Sequence, residues 1–287
     1  MTQPQFTQFS SPAKLNLFLH IVGQREDGYH ELETLFQFVD HKDILEIRAI
    51  SSPEIKLLTP IEGVAEQNNL IYKAAKILKE KTNSQLGAEI KINKILPMGG
   101  GLGGGSSNAA TVLMALNELW QCQLSLNELA KIGLGLGADV PIFIHGHSAF
   151  AQGVGEKLTP QSPTEYWYLV SKPNCSISTA DVFKDKGLPR NTSRLNTTKI
   201  ELKDTHNDCQ TLVIKNYPKV AKLLSWLLEY APSRMTGTGA CIFSQFNSKA
   251  EALLIQSKLP SKVESFVAKG VNQSPLLAEL EALREKT

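Results

Sequence analysis

Six glycines lie within eleven residues of the chain, in the segment PMGGGLGGGSS between a predicted strand and a predicted helix. Ordering glycine costs conformational entropy, so such a cluster inside a domain favours a close approach of the backbone to a ligand or to another segment. Unshielded N–H groups and the positive end of the following helix would together bind an anion. The segment therefore predicts a phosphate-binding loop formed by Pro97, Met98, Gly99, Gly100, Gly101, Leu102, Gly103, Gly104, Gly105, Ser106 and Ser107.

The glycine-rich loop differs from two common phosphate-binding motifs. A Walker A loop requires a lysine where Ser106 stands, and a dinucleotide fingerprint needs an acidic residue at the end of a second strand about 20 residues on. We expect positive φ angles at Gly103 and Gly105. We also expect Ser106 or Ser107 to cap the helix or to offer a hydroxyl to a phosphate or its Mg²⁺. The alternative is a purely structural glycine turn.

Lys14, Asn16 and Asp139 are polar residues in or beside predicted elements. In PAKLNLFLH apolar residues alternate with others at the period of a half-buried strand, which places Lys14 and Asn16 on one face. Asp139 follows a glycine turn and comes two residues before Pro141. Structural alternatives stay open, because most lysines on a sheet are solvated and an aspartate before a proline often caps a short helix.

Apolar periodicity predicts the elements that position these residues. It indicates strands at 13–20, 35–39, 44–50, 88–92, 166–170, 240–246 and 262–267. Helices are predicted to begin near residues 68–70, to carry 109–120, to lie in LSLNELAKIGL, to span 220–228, and to follow Ser248 and Ser274. A cluster of glycine, proline and polar residues at 153–163 predicts a boundary between two domains.

The composition is that of an ordinary globular protein, with 42% hydrophobic and 20% charged residues among 287. A net charge of +2 gives no basic field, so we expect neither nucleic acid nor a membrane as partner. Four dispersed cysteines argue against a disulfide framework, and neither they nor the histidines show the spacing of a metal site. No signal peptide is recognisable near the start, so a cytoplasmic location is expected. No heptad pattern predicts an oligomer.

Four segments of the chain resemble the GHMP kinases, the family of galactokinase, homoserine kinase, mevalonate kinase and phosphomevalonate kinase. PMGGGLGGGSSNAA is similar to the family's second motif, usually written PxxxGLGSSAA, although Gly104 and Gly105 are additional. SPAKLNLFLHI with REDGYHELETLF, GADVPIF, and RMTGTGACIF agree as well. Together they cover essentially the whole chain and most resemble the branch whose alcohol substrate carries a cytidine diphosphate group.

The resemblance implies an α+β fold in two domains, 1–155 and 156–287, with the active site in the cleft between them. It implies that Asp139 accepts the proton of the substrate hydroxyl and that Lys14 pairs with Asp139, which would lower the cost of forming an alkoxide. The remaining residues that it assigns would hold the two substrates. For the hydroxyl-bearing arm and the cytosine they are Asn16, Tyr29, His30, Thr179 and Phe183, and for the adenine side of ATP they are Asn69, Leu70 and Lys94.

The implied activity is that of an ATP-dependent small-molecule kinase, with Mg²⁺ held mainly by the ATP phosphates. Two alternatives stay open. One keeps the chemistry but takes homoserine or mevalonate as the acceptor, and the other is a nucleotide-sensing regulator without catalysis. GYH and STADVF argue against the first, because a small acid has no use for a pyrimidine site, and the presence of both Lys14 and Asp139 argues against the second.

Overall fold

Strands and helices alternate along residues 5–195 and 200–285, the part of the chain that the computed structural model describes. The strands are β1 (Thr7–Gln24), β2 (His30–Ile50), β3 (Ile55–Leu57), β4 (Gly87–Asn93), β5 (Ala149–Gly153), β6 (Lys157–Pro160), β7 (Trp167–Lys172), β8 (Ser233–Met235), β9 (Ile242–Phe246) and β10 (Glu264–Val271). The helices are α1 (Leu70–Thr82), α2 (Gly104–Leu119), α3 (Leu126–Leu134), α4 (Val140–His145), α5 (Thr179–Lys184), α6 (Asp208–Asn216), α7 (Pro218–Leu228), α8 (Lys249–Gln256) and α9 (Pro275–Arg284).

Strand β2 is the central element of the ten-stranded sheet. Its 21 residues pair with β1 along one edge, and with β5, β10 and β4 in succession along the other. The sheet continues from β10 through β7 and β9 to β8. One strand therefore connects the N-terminal pairings with those of the C-terminal half.

The predicted pair of strands at 35–39 and 44–50 was wrong, because β2 runs through both without interruption. The polar residues between them are held by β10. Asp40 accepts a hydrogen bond from the backbone N–H of Lys269 at 2.6 Å, and the His41 ring stacks on Phe266 with centroids 3.8 Å apart. Contacts with a distant strand thus outweigh the local polarity that suggested a turn.

Strand β1 is irregular where it carries the predicted functional residues. Its register with β2 shifts between Pro12 and Lys14 and again between Asn16 and Leu19. Such bulges redirect side chains and are common beside active sites. The prediction of a half-buried strand was wrong, since residues 9–21 are buried without interruption and β1 contacts α2, α6 and α9 besides its partner β2.

Two large apolar cores flank the sheet. The first contains α1, α2 and α4, and it also receives Leu276 and Leu280 of the terminal helix α9. The second gathers α6, α7 and β9, together with Leu19 and Ile21 of β1. The segment 153–163 carries the β5–β6 hairpin rather than a linker. The division of the chain at residue 155 stays a prediction.

No helix in the described ranges combines the length and the apolar character that crossing a bilayer would need.

Asp43 on β2 joins three elements beneath the glycine-rich loop. Its fully buried carboxylate accepts hydrogen bonds from the N–H groups of Ile95 and Leu96 at 2.7 and 2.8 Å. It also accepts bonds from Lys94 Nζ at 2.7 Å and from Asn108 Nδ2 at 2.9 Å. The chain leaving β4 and the first turns of α2 are therefore fixed to the sheet on both sides of the loop.

We predict that Asp43→Ala lowers the free energy of unfolding by roughly 3 kcal/mol, because it leaves two backbone N–H groups and an ammonium without their acceptor. Urea unfolding followed by circular dichroism measures this. Glu46→Ala on the same strand is the matched control. Its ion pair with Lys91 is about half exposed, so its loss should cost less than about 1 kcal/mol. Equal losses in the two variants would show that Asp43 does not hold the loop.

Candidate active site

Lys14 is a buried cation surrounded by oxygen atoms. Its side chain is 3% exposed, and Nζ donates to Asn16 Oδ1 at 2.6 Å and to the carbonyl of Gly101 at 3.1 Å. The carboxylate of Asp139 lies 3.3 Å from Nζ. The predicted common face of Lys14 and Asn16 and the predicted pairing of Lys14 with Asp139 are both confirmed, and the alternative of a solvated lysine was wrong.

Asp139 occupies the N-cap position of the short helix α4, directly after the turn at Gly137. Its side chain forms no capping hydrogen bond there, so the capping alternative was wrong. The carboxylate instead faces Lys14 and remains 35% exposed. A carboxylate held by a buried ammonium yet open to a cleft can accept a hydrogen bond, or a proton, from a bound hydroxyl.

Asn16 orients the lysine. Its Oδ1 accepts from Lys14, its Nδ2 donates to Thr34 Oγ1 at 2.9 Å, and its backbone N–H donates to Thr236 Oγ1 at 2.9 Å. Thr236 belongs to the segment RMTGTGACIF, which folds into a turn against the glycine-rich loop. The C-terminal half thus helps to hold Asn16, and through it Lys14, in place.

The backbone of the glycine-rich loop has positive φ angles at every second residue from Gly99 to Gly103, that is, at Gly99, Gly101 and Gly103. A Cβ on Gly101 would lie 2.4 Å from the carbonyl oxygen of Thr236, and one on Gly103 would lie 2.8 Å from the Phe143 ring and 3.1 Å from Lys14 Cε. The positive φ predicted for Gly103 is confirmed. The same prediction for Gly105 was wrong, because α2 already begins at Gly104.

The two serines that follow the loop have different surroundings. Ser106 lines the cleft, whereas Ser107 is fully buried and accepts a hydrogen bond from Ser11 Oγ at 2.8 Å. Neither caps the helix, since the N-cap residue is Gly103 and no side chain bonds there. Only Ser106 therefore offers a hydroxyl to a ligand in this conformation.

The residues predicted for the adenine side surround the outer part of the loop rather than the cleft. A Cβ on Gly104 would lie 3.3 Å from Lys94 Nζ, and one on Gly105 would lie 3.4 Å from Leu70 Cδ1. Asn69 caps α1 by accepting from the Ile71 N–H at 3.0 Å, while its buried Nδ2 finds no partner among the described residues. Their contact with ATP, and that of Pro97 to Gly100, stays a prediction.

Aromatic residues form the far end of the cleft. The rings of His30 and Phe183 are in contact, with centroids 5.1 Å apart, and Tyr29 is 62% exposed. Thr179, the first residue of α5, shares a hydrogen bond of 2.9 Å with Thr238. Burial and the neighbouring Arg190 lower the pKa of His30, so the ring is neutral near pH 7.

One cleft of about 830 Å³ joins these groups. It contains the pair formed by Lys14 and Asp139, the open part of the glycine-rich loop, and the aromatic end. Of the predicted site residues, those lining it are Lys14, Asn16, Tyr29, His30, Gly101, Ser106, Asp139, Thr179 and Phe183. Within the described ranges, His, Cys, Asp and Glu side chains do not gather in threes that could hold a metal ion.

Sequence reasoning missed Thr34 and Arg190, which line this cleft, and Thr236, which is buried next to Asn16. Thr236 lies within RMTGTGACIF, one of the four segments that resemble the GHMP kinases, and could have been singled out there. Arg190 stands in an irregular segment after α5, where no periodicity or motif marks it. Its position becomes visible only when that segment folds back onto the start of β2.

Family models and curated relatives both match this chain over most of its length. Residues 69–147 match the family model described as GHMP kinases N terminal domain, and residues 192–265 match GHMP kinases C terminal. A 4-diphosphocytidyl-2-C-methyl-D-erythritol kinase of Colwellia psychrerythraea is 65% identical over 281 residues, covering 96% of this chain and 94% of that protein. The corresponding protein of Shewanella pealeana is 58% identical over 281 residues, covering 98% and 99%.

Solved structures agree. A crystal structure of 4-(cytidine 5'-diphospho)-2C-methyl-D-erythritol kinase matches with a TM-score of 0.81 at 29% identity, covering 92% of this chain and 99% of that one. The mevalonate kinase of Methanococcus jannaschii, at 17% identity, matches with a TM-score of 0.67 over 93% of this chain and 99% of its own, which shows the common fold. The predicted family and mixed α and β fold are confirmed, and the chain belongs to the 4-diphosphocytidyl-2-C-methyl-D-erythritol kinases of the GHMP kinase family.

Proposed function

We propose that this protein transfers the γ-phosphate of ATP to the 2-hydroxyl of 4-diphosphocytidyl-2-C-methyl-D-erythritol, giving the 2-phosphate and ADP. The reaction belongs to the non-mevalonate, or methylerythritol phosphate, route to isoprenoid precursors. The observation that carries the proposal is the Lys14–Asp139 pair, 3.3 Å apart in a cleft that has a glycine-rich loop and an aromatic end. All four cysteines are free thiols, which suits the reducing cytoplasm where we place the reaction.

Phosphoryl transfer to an alcohol requires an aligned nucleophile and a compensated charge. Asp139 hydrogen-bonds the substrate hydroxyl and accepts its proton, and Lys14 stabilises the oxygen as it becomes anionic. In a largely dissociative transfer the proton leaves late, so alignment by Asp139 contributes beside its basicity. Asn16 and Gly101 fix the ammonium and thereby the geometry of the pair.

The loop and the start of α2 receive the ATP phosphates. Backbone N–H groups and the helix dipole at Gly104 favour negative charge there, and Lys94 lies beside the same helix start. The donor set suits Mg²⁺, because the Ser106 hydroxyl is the sort of oxygen ligand that this ion accepts beside phosphates and water. When bound, the ion offsets charge on the phosphates.

The acceptor is best tested by offering alternatives side by side. ATP consumption would be followed with the cytidylated alcohol, homoserine and mevalonate in parallel. We expect turnover with the first alone, since the aromatic end suits a pyrimidine. Turnover with either small acid but not with the cytidylated alcohol would reassign the acceptor, and turnover with none would favour a nucleotide-sensing role.

We predict that Gly103→Val weakens ATP binding at least tenfold, because a β-branched residue at φ +72° is strained and its Cβ would overlap Phe143. Calorimetric titration with ATP measures the affinity. Gly63→Val is the control, with a similar φ of +75° but open space around its Cβ. Unchanged affinity in the Gly103 variant would mean that this loop does not hold the phosphates.

We predict that Tyr29→Ala and Phe183→Ala each raise the apparent KM for the cytidylated alcohol and leave the KM for ATP unchanged. A stacked base contributes roughly 1–3 kcal/mol per aromatic ring. Steady-state kinetics with each substrate varied in turn checks this. Equal losses toward both substrates would place the cytidine elsewhere.

We predict that Asp139→Asn reduces kcat by roughly 10²–10⁴-fold with little change in either KM, since the amide keeps the shape but accepts no proton. Lys14→Met should reduce kcat in the same way. If the two residues act as a unit, the double variant will be scarcely slower than the slower single variant, whereas multiplicative losses would indicate independent roles. Near-normal kcat in a folded Asp139→Asn would remove Asp139 from the mechanism.

A further inference from the structure

Arg190 is anchored on every side next to the aromatic end of the cleft. Its Nε–H donates to His30 Nε2 at 3.0 Å, and Nη1 donates to the carbonyl of Leu188 at 2.9 Å. Nη2 donates to the carbonyls of Phe183 and Asp185 at 3.2 and 2.9 Å. Because a guanidinium is planar and these acceptors lie on different sides of it, Arg190 cannot withdraw from His30 without losing the others.

The contact with Arg190 decides where His30 carries its proton. A guanidinium has donors only, so Nε2 of His30 must accept. In a neutral imidazole the other nitrogen then carries hydrogen, and the lowered pKa of His30 keeps the ring neutral near pH 7. His30 is 8% exposed and lines the cleft. Its Nδ1–H is therefore the group that can donate a hydrogen bond to a ligand.

His30 meets a ligand with its edge and not with its face. Its ring lies against Phe183, with centroids 5.1 Å apart and planes tilted by 30°. A ring stacked between them would need a separation of about 7 Å, twice the contact distance of carbon atoms. A pyrimidine at this end of the cleft therefore receives hydrogen bonds from His30 and stacks on the other aromatic residues.

We propose that Arg190 determines which pyrimidine this kinase accepts. By fixing the His30 proton on Nδ1, it makes His30 a donor to N3 of a cytosine, which has a lone pair there. Uracil carries a proton on N3, so two donors would face each other and the uridine form would be rejected. Arg190 is a positioning residue that acts through His30, and this inference rests on the proposed function.

The test compares the cytidine and uridine forms of the diphosphate-linked alcohol. In wild-type protein kcat/KM should favour the cytidine form. Arg190→Met frees His30 to take either tautomer, so the ratio of the two kcat/KM values should fall at least about tenfold, the scale of a mismatched buried hydrogen bond. Arg194→Met is the control, because it removes the same charge from the same segment, while Arg194 is about half exposed and pairs with Glu31 and Glu33 and not with His30. It should leave the ratio unchanged.

His30→Asn separates tautomer selection from a purely structural role of Arg190. The asparagine amide reaches the place of Nδ1 and can turn either its N–H or its C=O to the base, so in this variant the ratio of the two kcat/KM values, cytidine form to uridine form, should fall at least about tenfold whatever its absolute activity. Retention of full discrimination in both Arg190→Met and His30→Asn would overturn the inference.

Nuclear magnetic resonance gives a readout in the unaltered protein. With ¹⁵N-labelled histidine, the two-bond correlations of the His30 ring, assigned by their loss in His30→Asn, should show the proton on Nδ1. A proton on Nε2 in the wild-type protein would overturn the inference even if Arg190→Met loses its fold. Turnover of neither alcohol by the wild-type protein would overturn the proposed function itself, a result distinct from turnover with unchanged selectivity.

Discussion

The buried ammonium of Lys14 is the constraint on which the rest of the site depends. A charge removed from water must be surrounded by oxygen atoms, or burial is prohibitively costly. The three oxygens that surround it come from β1, from the glycine-rich loop and from the residue before α4. Because all three elements must satisfy one cation, none can shift alone. The requirement that allows this core to fold is thus the same one that holds Lys14 and Asp139 in contact.

The glycine-rich loop packs against other segments of the protein as well as bordering the cleft. Gly101 and Gly103 have positive φ angles, and any side chain at either would overlap Thr236 or Phe143. The loop is therefore rich in glycine because other parts of the protein press against it, and not only because a phosphate must approach its N–H groups. Asp43 completes the arrangement by fixing the chain before the loop and the helix after it.

The local sequence pattern predicted most of the helices and strands and several of the residues in the cleft. Contacts between distant segments determined the features that the pattern did not show. Alternation placed Lys14 beside Asn16, and the motifs identified the loop and Asp139. The same alternation failed for β2, because β10 stabilises the polar residues Asp40 and His41 in a continuous strand. It also failed to show that Lys14 is buried on a strand covered on both faces. Asp43 and Arg190 act through acceptors and donors far away in sequence, so neither carries a local signal of its importance.

Strand β2 sets the distance between the two ends of the cleft. His30 begins β2, and Phe36, six residues on, lies beneath the ammonium of Lys14 with its ring centre 5.3 Å from Nζ. At about 3.3 Å per residue the aromatic end and the Lys14–Asp139 pair are roughly 20 Å apart along the strand. An acid of the size of homoserine or mevalonate cannot touch both ends, whereas a nucleoside diphosphate ester places a ribose and two phosphates between its base and its alcohol. Since β2 is paired along both edges, this spacing is rigid. Under the proposed function, recognition of the base at the aromatic end would position the hydroxyl at Asp139, and binding energy remote from the reaction would then contribute to its rate.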